Sequence, residues 1–75
     1  MKQIINGVLY DTETATEIYV DEEKRRRWYR TNNGHFFVFY PNGEIAVVEE
    51  QVVKDFLGKK DADTYISLWG VPQEG

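Results

Sequence analysis

The sequence predicts an α+β fold: an antiparallel β-meander of about five or six strands built on Asn-Gly hairpins, with one or two short C-terminal helices packed on one face. Three observations carry this prediction. Asn-Gly pairs occur at positions 6–7, 33–34 and 42–43, each flanked by β-prone residues. Apolar residues alternate with polar ones at 14–21, as in a half-buried strand, and recur at helical spacing after Val48. Strands therefore come first along the chain, and helices last.

The first Asn-Gly pair, Asn6-Gly7, lies between the apolar segments 4–5 and 8–10. Asn and Gly both accept the positive φ of a type I′ turn, so a two-residue hairpin is expected here. The segment that follows supports two interpretations. Residues 14–21 alternate apolar and polar side chains, as in a half-buried strand, but Asp11 would also serve as the N-cap of a helix through this region.

The other two Asn-Gly pairs would join three strands into a meander. If both are two-residue type I′ turns, Trp28 faces Phe39 across the first turn and Tyr40 faces Ile45 across the second. This register puts Trp28, Arg30, Phe37, Phe39, Ala46 and Val48 on one face, and Arg27, Tyr29, Thr31, Phe36, Val38, Tyr40, Ile45 and Val47 on the other. Both faces are apolar. Two short helices can cover only one of them, so we expect the N-terminal hairpin or a partner to cover the other.

Two helices are predicted after the meander. The first has apolar residues at Val52, Val53, Phe56 and Leu57, with Glu49 and Glu50 in its first turn and Gly58 as its C′ glycine. The second has Asp61 as N-cap, a stripe of Ala62, Tyr65, Ile66 and Trp69, and Gly70 as terminator with Pro72 just beyond.

The composition limits the kinds of protein that this chain can be. Its 75 residues are expected to form a single domain, residues 1–75, close to the lower size limit for a self-sufficient core. There is no cysteine and only one histidine, His35, so we predict no disulfide, no metal site and no cofactor. The opening residues lack the pattern of a secretory signal, and no run approaches the roughly 20 apolar residues of a membrane span. We expect a cytoplasmic protein with no membrane contact.

Catalysis is not predicted, because no residue pattern supplies a nucleophile beside a base. His35 adjoins a turn, where we expect it to be exposed, and Ser67 is the only serine. The pair Glu49-Glu50 fits the first turn of a helix better than an acid–base dyad. We therefore expect a protein that is not an enzyme.

The charge is segregated along the chain. Residues 1–23 carry one basic and six acidic side chains, whereas residues 24–30 carry five basic side chains and no acidic one. Arginines among aromatic residues are a feature of surfaces that stack bases. The net charge of −4 and the pI of about 4.8 argue against nucleic acid as the partner. We expect instead that Arg25 and Arg27 pair with the acidic run 21–23 across a neighbouring strand.

Three segments of the chain are similar to one group of proteins. KQIINGVLYDTETATEI at 2–18, WYRTNNGHFFVFYPNGE at 28–44 and LGKKDADTYISLWG at 57–70 resemble small uncharacterised proteins of Firmicutes and their mobile elements. That group has a KxIINGxxYDTETA opening and a DADxY...G ending. This chain is shorter, has PNG where a glycine-rich loop is usual, and carries KRRR at 24–27 in place of an insertion. The resemblance implies phage, plasmid or conjugative-element cargo, a context that includes anti-CRISPR-like inhibitors of host defence nucleases.

These observations predict a small, acidic, non-catalytic binding protein that acts as a protein-interaction module carried by a mobile genetic element. The candidate protein-binding residues are Asp21, Glu22, Glu23, Arg25, Arg27, Tyr29 and Tyr40. The alternatives are inhibition of a host defence nuclease and single-stranded nucleic-acid binding through the Arg25–Arg30 segment. A homo-oligomer formed through an open face or an unpaired edge strand is also compatible with the pattern.

Overall fold

The computed structural model describes residues 1–75, and its architecture confirms the predicted α+β class. Six strands precede two helices: β1 (Lys2–Ile5), β2 (Val8–Asp11), β3 (Thr16–Asp21), β4 (Arg26–Arg30), β5 (Phe36–Phe39), β6 (Ile45–Val48), α1 (Glu50–Lys60) and α2 (Ala62–Trp69). All strand pairs are antiparallel. They form a two-stranded sheet, β1-β2, and a four-stranded sheet in the order β3-β4-β5-β6.

The first hairpin has the predicted two-residue turn. Ile5 pairs with Val8, and the two residues between them, Asn6 and Gly7, have φ values of 51° and 77°. Both torsions are positive, as a type I′ turn requires. The sequence prediction is confirmed at this position.

The open question between strand and helix after Asp11 is settled in favour of a strand, β3. The carboxylate of Asp11 does not cap a helix; it accepts a hydrogen bond from the Glu13 backbone N–H at 2.9 Å, while the Asp11 carbonyl accepts one from Ala15 at 2.9 Å. These bonds turn the chain into β3 instead. A β-bulge between Glu17 and Tyr19 then interrupts the pairing of β3 with β4.

The predicted register of the other two hairpins is wrong by one residue. Trp28 pairs with Val38 rather than Phe39, and Ile45 pairs with Phe39 rather than Tyr40. The reason is that each loop contains three residues, 32–34 and 41–43, closed by a hydrogen bond from the glycine N–H to the carbonyl three residues earlier, 3.0 Å in both cases. Only the glycine of each loop has a positive φ, which is the combination of a type I turn and a bulge rather than a type I′ turn.

The shift of register changes which residues share a face, because neighbouring residues of a strand point to opposite sides. Residues predicted to lie on different faces now lie together. The face that α1 covers combines Trp28, Phe36 and Val38 with Val53 and Leu57 in one buried cluster. The predicted faces were therefore wrong in composition, although both are apolar as expected.

The second face is covered by the N-terminal hairpin, one of the two coverings expected for it. Tyr29, Phe37 and Ile45 form a buried cluster with Tyr10 of β2. Tyr29 stacks on Phe37 with ring centroids 5.0 Å apart, and Tyr10 meets Phe37 edge-on at 5.6 Å. The central sheet is thus a middle layer between the helices and the hairpin, and Phe37, on the hairpin side, is fully buried.

The first helix is longer than predicted. Gly58 is not its C′ residue but lies inside α1, which continues to Lys60. A glycine in a helix costs about 1 kcal/mol relative to alanine, but Lys59 and Lys60 favour the helix C-terminus electrostatically. The Asp61 N–H closes the last turn on the Leu57 carbonyl at 2.8 Å.

The second helix starts and ends where predicted. Asp61 accepts a hydrogen bond from the Thr64 N–H at 3.2 Å, and Gly70 ends the helix with φ 88°. Of the predicted stripe, Tyr65 and Trp69 are half-buried, and Trp69 packs against Phe36 with ring centroids 5.7 Å apart. The other two stripe residues, Ala62 and Ile66, are exposed, and Leu68 takes a half-buried position that was not predicted.

Candidate functional site

The turn between β3 and β4, residues 22–25, holds most of the acidic run and is termed the acidic turn. Asp21 and Arg26 pair directly across its two ends. The Arg26 Nε donates to Asp21 Oδ2 at 3.0 Å, and the Lys24 N–H donates to Asp21 Oδ1 at 3.3 Å. Arg25 adopts φ 55°, a left-handed conformation that costs a non-glycine residue roughly 1–2 kcal/mol. The contacts of Asp21 hold this strained turn in one shape.

The same contacts lower the pKa of Asp21. Partial burial raises the pKa of this carboxyl, but the hydrogen bond from the Lys24 N–H and the hydrogen bond and charge of Arg26 oppose it, with a smaller contribution from the Lys24 charge. The pKa of Asp21 consequently lies below its ordinary value. Asp21 is therefore ionised at neutral pH and committed to holding the turn, rather than free for a partner.

Arg26 sits on an aromatic platform beside the acidic turn. Its guanidinium lies 5.2 Å from the Trp28 ring centroid and 5.6 Å from that of Phe56. Trp28 and Phe56 stack at 4.2 Å with nearly parallel planes, and Tyr19 meets Phe56 edge-on at 5.2 Å. The platform joins β3 and β4 to α1, so the base of the turn is anchored to the helix-side core.

An open cleft of about 360 Å³ adjoins the turn. It is lined by Tyr19, Val20, Asp21, Glu22, Glu23, Lys24, Arg26, Phe56 and Lys60. Glu22, Glu23 and Lys24 are exposed at its rim, whereas Tyr19 and Phe56 are half-buried. The cleft therefore combines apolar aromatic surface with charged side chains of both signs.

The structure brings some of the predicted site residues together and separates others. Asp21, Glu22 and Glu23 line the cleft, and Arg25 closes the acidic turn next to it. Arg27, by strand alternation, points to the opposite face of the sheet.

The two candidate tyrosines lie away from the cleft. Tyr29 is 7% exposed within the hairpin-side core, with its hydroxyl 3.5 Å from Glu17 Oε2. Tyr40 is half-buried against the helix-side cluster. Both rings contribute to packing, and Tyr29 presents little surface to a partner.

The predicted ion pairs are replaced by others. Asp21 pairs with Arg26 rather than with Arg25 or Arg27, because Arg26 is the residue directly opposite it in the register. Arg27 instead contacts Glu17 at 3.4 Å on the hairpin side of the sheet, where both side chains are exposed. Glu22, Glu23 and Arg25 form no ion pair.

The sequence did not identify Arg26, Phe56 and Lys60 as parts of the site. For Arg26 a signal was present: Asp21 and Arg26 bracket a short polar segment between two strand patterns, which is the spacing of residues that face each other across a hairpin. Phe56 was correctly placed against the sheet, but nothing in the sequence indicated which strand it would meet. Lys60 lies beyond the predicted helix end at Gly58, so its approach to the cleft was missed.

A second open cleft, of about 330 Å³, lies between the N-terminal hairpin and the loop 32–34. It is lined by Gly7, Val8, Leu9, Thr14, Thr31, Asn32, Asn33 and His35. His35 is exposed there, as predicted, and its ring lies 6.3 Å from that of Tyr10. No group of three or more acidic or histidine side chains has the arrangement of a metal site.

Neither helix has the length and apolar character needed to cross a membrane. Comparisons of this chain with protein families, with curated proteins and with solved structures found no match.

Proposed function

We propose that this protein is a non-catalytic interaction module that binds a protein partner through the acidic turn and its cleft. The observation that carries this proposal is the contrast within the turn. Asp21 is engaged by Arg26 and Lys24, whereas the exposed carboxylates of Glu22 and Glu23 have no ion-pair partner. A fixed turn that presents unpaired carboxylates beside aromatic surface suits a partner with basic and apolar groups, and it limits the entropy lost on binding.

The arrangement of the arginines favours a protein over a nucleic acid as partner. Arg26 is held against Asp21 and the aromatic platform, and Arg27 contacts Glu17 on the other face of the sheet. The five basic residues of the segment 24–30 therefore do not form one continuous surface. Phosphate contacts contribute most of the affinity for nucleic acid, so a divided and partly neutralised basic segment in a chain of net charge −4 is a poor site for it.

A narrower candidate within this function is an inhibitor of a host defence nuclease carried by a mobile element. The exposed Glu22 and Glu23 favour it, because two neighbouring carboxylates can occupy a basic surface that otherwise binds phosphates. The mobile-element context itself comes from the sequence resemblance at 2–18, 28–44 and 57–70.

Paired affinity purifications test the function. The tagged wild-type chain and a Glu22→Gln/Glu23→Gln variant are incubated with the same host lysate, and the retained proteins are quantified. Glu13→Gln is the matched control, since Glu13 is also exposed and acidic but lies in another turn. We expect a protein that is retained by the wild type and by the control but lost from the double variant. Equal retention by all three chains would remove the acidic turn from the proposal.

A filter-binding titration tests the alternative of single-stranded nucleic acid. We expect no appreciable binding to single-stranded DNA or RNA at physiological salt. Binding that depends on Arg25, Arg26 and Arg27, and that weakens with salt by a log–log slope of roughly −0.7 per neutralised phosphate, would replace the protein-binding proposal.

A further inference from the structure

The Asn-Gly pairs at 6–7, 33–34 and 42–43 are chemically reactive as well as turn-forming. In such a pair the backbone nitrogen of the glycine can attack the side-chain Cγ of the asparagine and close a five-membered succinimide ring. The glycine has no Cβ, so nothing on it obstructs the approach of the asparagine side chain. The same reactive dipeptide therefore occurs three times, and its local structure differs from one place to the next.

In two of the three pairs a hydrogen bond holds the attacking nitrogen. The Gly34 N–H donates to the Thr31 carbonyl, and the Gly43 N–H donates to the Tyr40 carbonyl, at 3.0 Å in both cases. The nitrogen attacks only after it has lost its proton, and a carbonyl that accepts this proton holds both the proton and the peptide in place. The need to break one such bond slows the reaction by up to about tenfold.

Further bonds hold the same two loops. Asn42 Oδ1 accepts a hydrogen bond from the Glu44 N–H at 3.0 Å, so the side-chain amide that would be attacked is engaged as well. In the other loop the Thr31 N–H donates to the His35 carbonyl at 2.8 Å, and Thr31 Oγ1 accepts from the His35 N–H at 3.0 Å. Ring closure requires the Asn–Gly peptide to rotate out of the loop conformation, and each of these bonds opposes that local opening.

The first pair, Asn6-Gly7, has none of these restraints. The Gly7 N–H donates no hydrogen bond, and the Asn6 side chain makes none. Both residues are exposed, and no atom lies within 4 Å of a Cβ built on Gly7. The turn is closed only by the pairing of Ile5 with Val8 at the tip of a two-stranded sheet, where local opening costs little. Solvent therefore reaches both reacting groups, and they are free to rotate.

We infer that Asn6 is the site at which the folded protein deamidates, through a succinimide formed with Gly7, so that this turn converts with time from a neutral to a negatively charged form. Hydroxide takes the Gly7 amide proton, and the bond from the nitrogen to Asn6 Cγ forms. The Cγ–Nδ2 bond breaks, and ammonia leaves with a proton taken from water. Water then opens the ring at one of its two carbonyls and gives aspartate or isoaspartate. Only water and hydroxide are consumed, and nothing is oxidised or reduced.

The isoaspartate product changes the turn itself. Its main chain passes through Cβ and Cγ, so the turn gains one backbone atom and no longer has the two-residue geometry that pairs Ile5 with Val8. These two half-buried side chains pack against the buried cluster that contains Tyr10 and Phe37. The modification should therefore loosen the layer that covers the hairpin side of the sheet. The inference does not depend on the proposed function of the acidic turn.

The rate of deamidation at each asparagine tests the inference on the full chain. The protein is incubated at mildly alkaline pH, once folded and once in denaturant, and tandem mass spectrometry of digested samples quantifies the acid formed at each position. Dividing the folded rate by the unfolded rate at each position removes the influence of the neighbouring sequence. We expect a ratio close to one for Asn6, and ratios lower by about tenfold or more for Asn33 and Asn42.

Two variants identify the site. Asn6→Gln should remove most of the ammonia that the folded protein releases early, because glutamine would have to close a six-membered ring, which forms more slowly. Asn33→Gln is the matched control, since Asn33 is also exposed and also precedes a glycine, and it should leave this release nearly unchanged. The fraction that carries isoaspartate at position 6 should unfold at a lower denaturant midpoint than the unmodified protein.

Three results would overturn the inference. They are equal ratios at the three asparagines, a folded-state rate at Asn33 or Asn42 that equals or exceeds the rate at Asn6, and the formation of aspartate without isoaspartate, which would exclude the succinimide. An isoaspartate fraction as stable as the unmodified protein would refute the loosening of the hairpin.

Discussion

Replacing Gly34 by alanine tests the loop that sets the register of the central sheet. Gly34 has φ +83°, and a Cβ added there would meet its nearest neighbour, Arg30 Nη2, at 3.8 Å, an ordinary contact. The cost of Gly34→Ala is therefore backbone strain alone, roughly 1–2 kcal/mol for a left-handed residue with a Cβ. Each kcal/mol corresponds to about 4–8 °C in Tm for a domain of this size.

Two further alanine variants make the measurement specific. Gly58 lies inside α1 with no atom within 4 Å of an added Cβ, so Gly58→Ala should stabilise the protein by about 0.8–1.0 kcal/mol. Asn33 would need a positive φ in a two-residue type I′ turn but does not have one in the observed loop. Asn33→Ala should therefore change the stability by less than about 0.5 kcal/mol.

Chemical denaturation of the wild type and the three variants, followed by tryptophan fluorescence, gives the comparison. We expect the free energy of unfolding of Gly34→Ala to be lower than that of the wild type and that of Gly58→Ala to be higher. The value for Asn33→Ala should equal that of the wild type. An Asn33→Ala cost as large as that of Gly34→Ala would show that the loop is a type I′ turn and that Trp28 does not pair with Val38. A Gly34→Ala variant as stable as the wild type would refute the positive φ at that position.

Three other predictions concern the core, a helix cap and pH. Leu57→Ala should lower the free energy of unfolding by about 2–5 kcal/mol, because Leu57 is fully buried. The control is Val52→Ala, which should have little effect on the thermal midpoint because Val52 is 48% exposed. Asp61→Ala should cost about 1 kcal/mol by removing the cap of α2, measured as a lower denaturation midpoint. Because the pKa of Asp21 is lowered in the folded state, its contribution to stability is complete above its ordinary pKa and is lost as the pH falls through the lower folded value. Asp21→Asn should remove that part of the acid dependence in a pH series of unfolding curves.

The sequence predicted the elements of the fold well because strong local signals mark each of them. Asn6-Gly7 forms a two-residue turn, and Asp61 and Gly70 delimit α2, as expected from their side-chain and backbone properties. Loop length was not accessible in the same way, because an Asn-Gly pair fits both a two-residue turn and the end of a three-residue loop. The choice depends on how the strands pack across the whole sheet, and it is the longer-loop register that places Tyr29 and Ile45 on the same face as Phe37.

The candidate site was predicted only in part, because the register between β3 and β4 was not predicted. Of the acidic run only Asp21 pairs with a following arginine, and that arginine is Arg26 rather than the expected Arg25 or Arg27, because the choice depends on the register between β3 and β4. Arg26 faces Asp21 and the platform of Trp28 and Phe56, so it is on the helix side. Arg27 is then necessarily on the hairpin side, where it meets Glu17. A run that is continuous in sequence is thereby divided between the two faces of the sheet. The exposed turn carries Glu22, Glu23, Lys24 and Arg25, two charges of each sign, rather than a basic stripe.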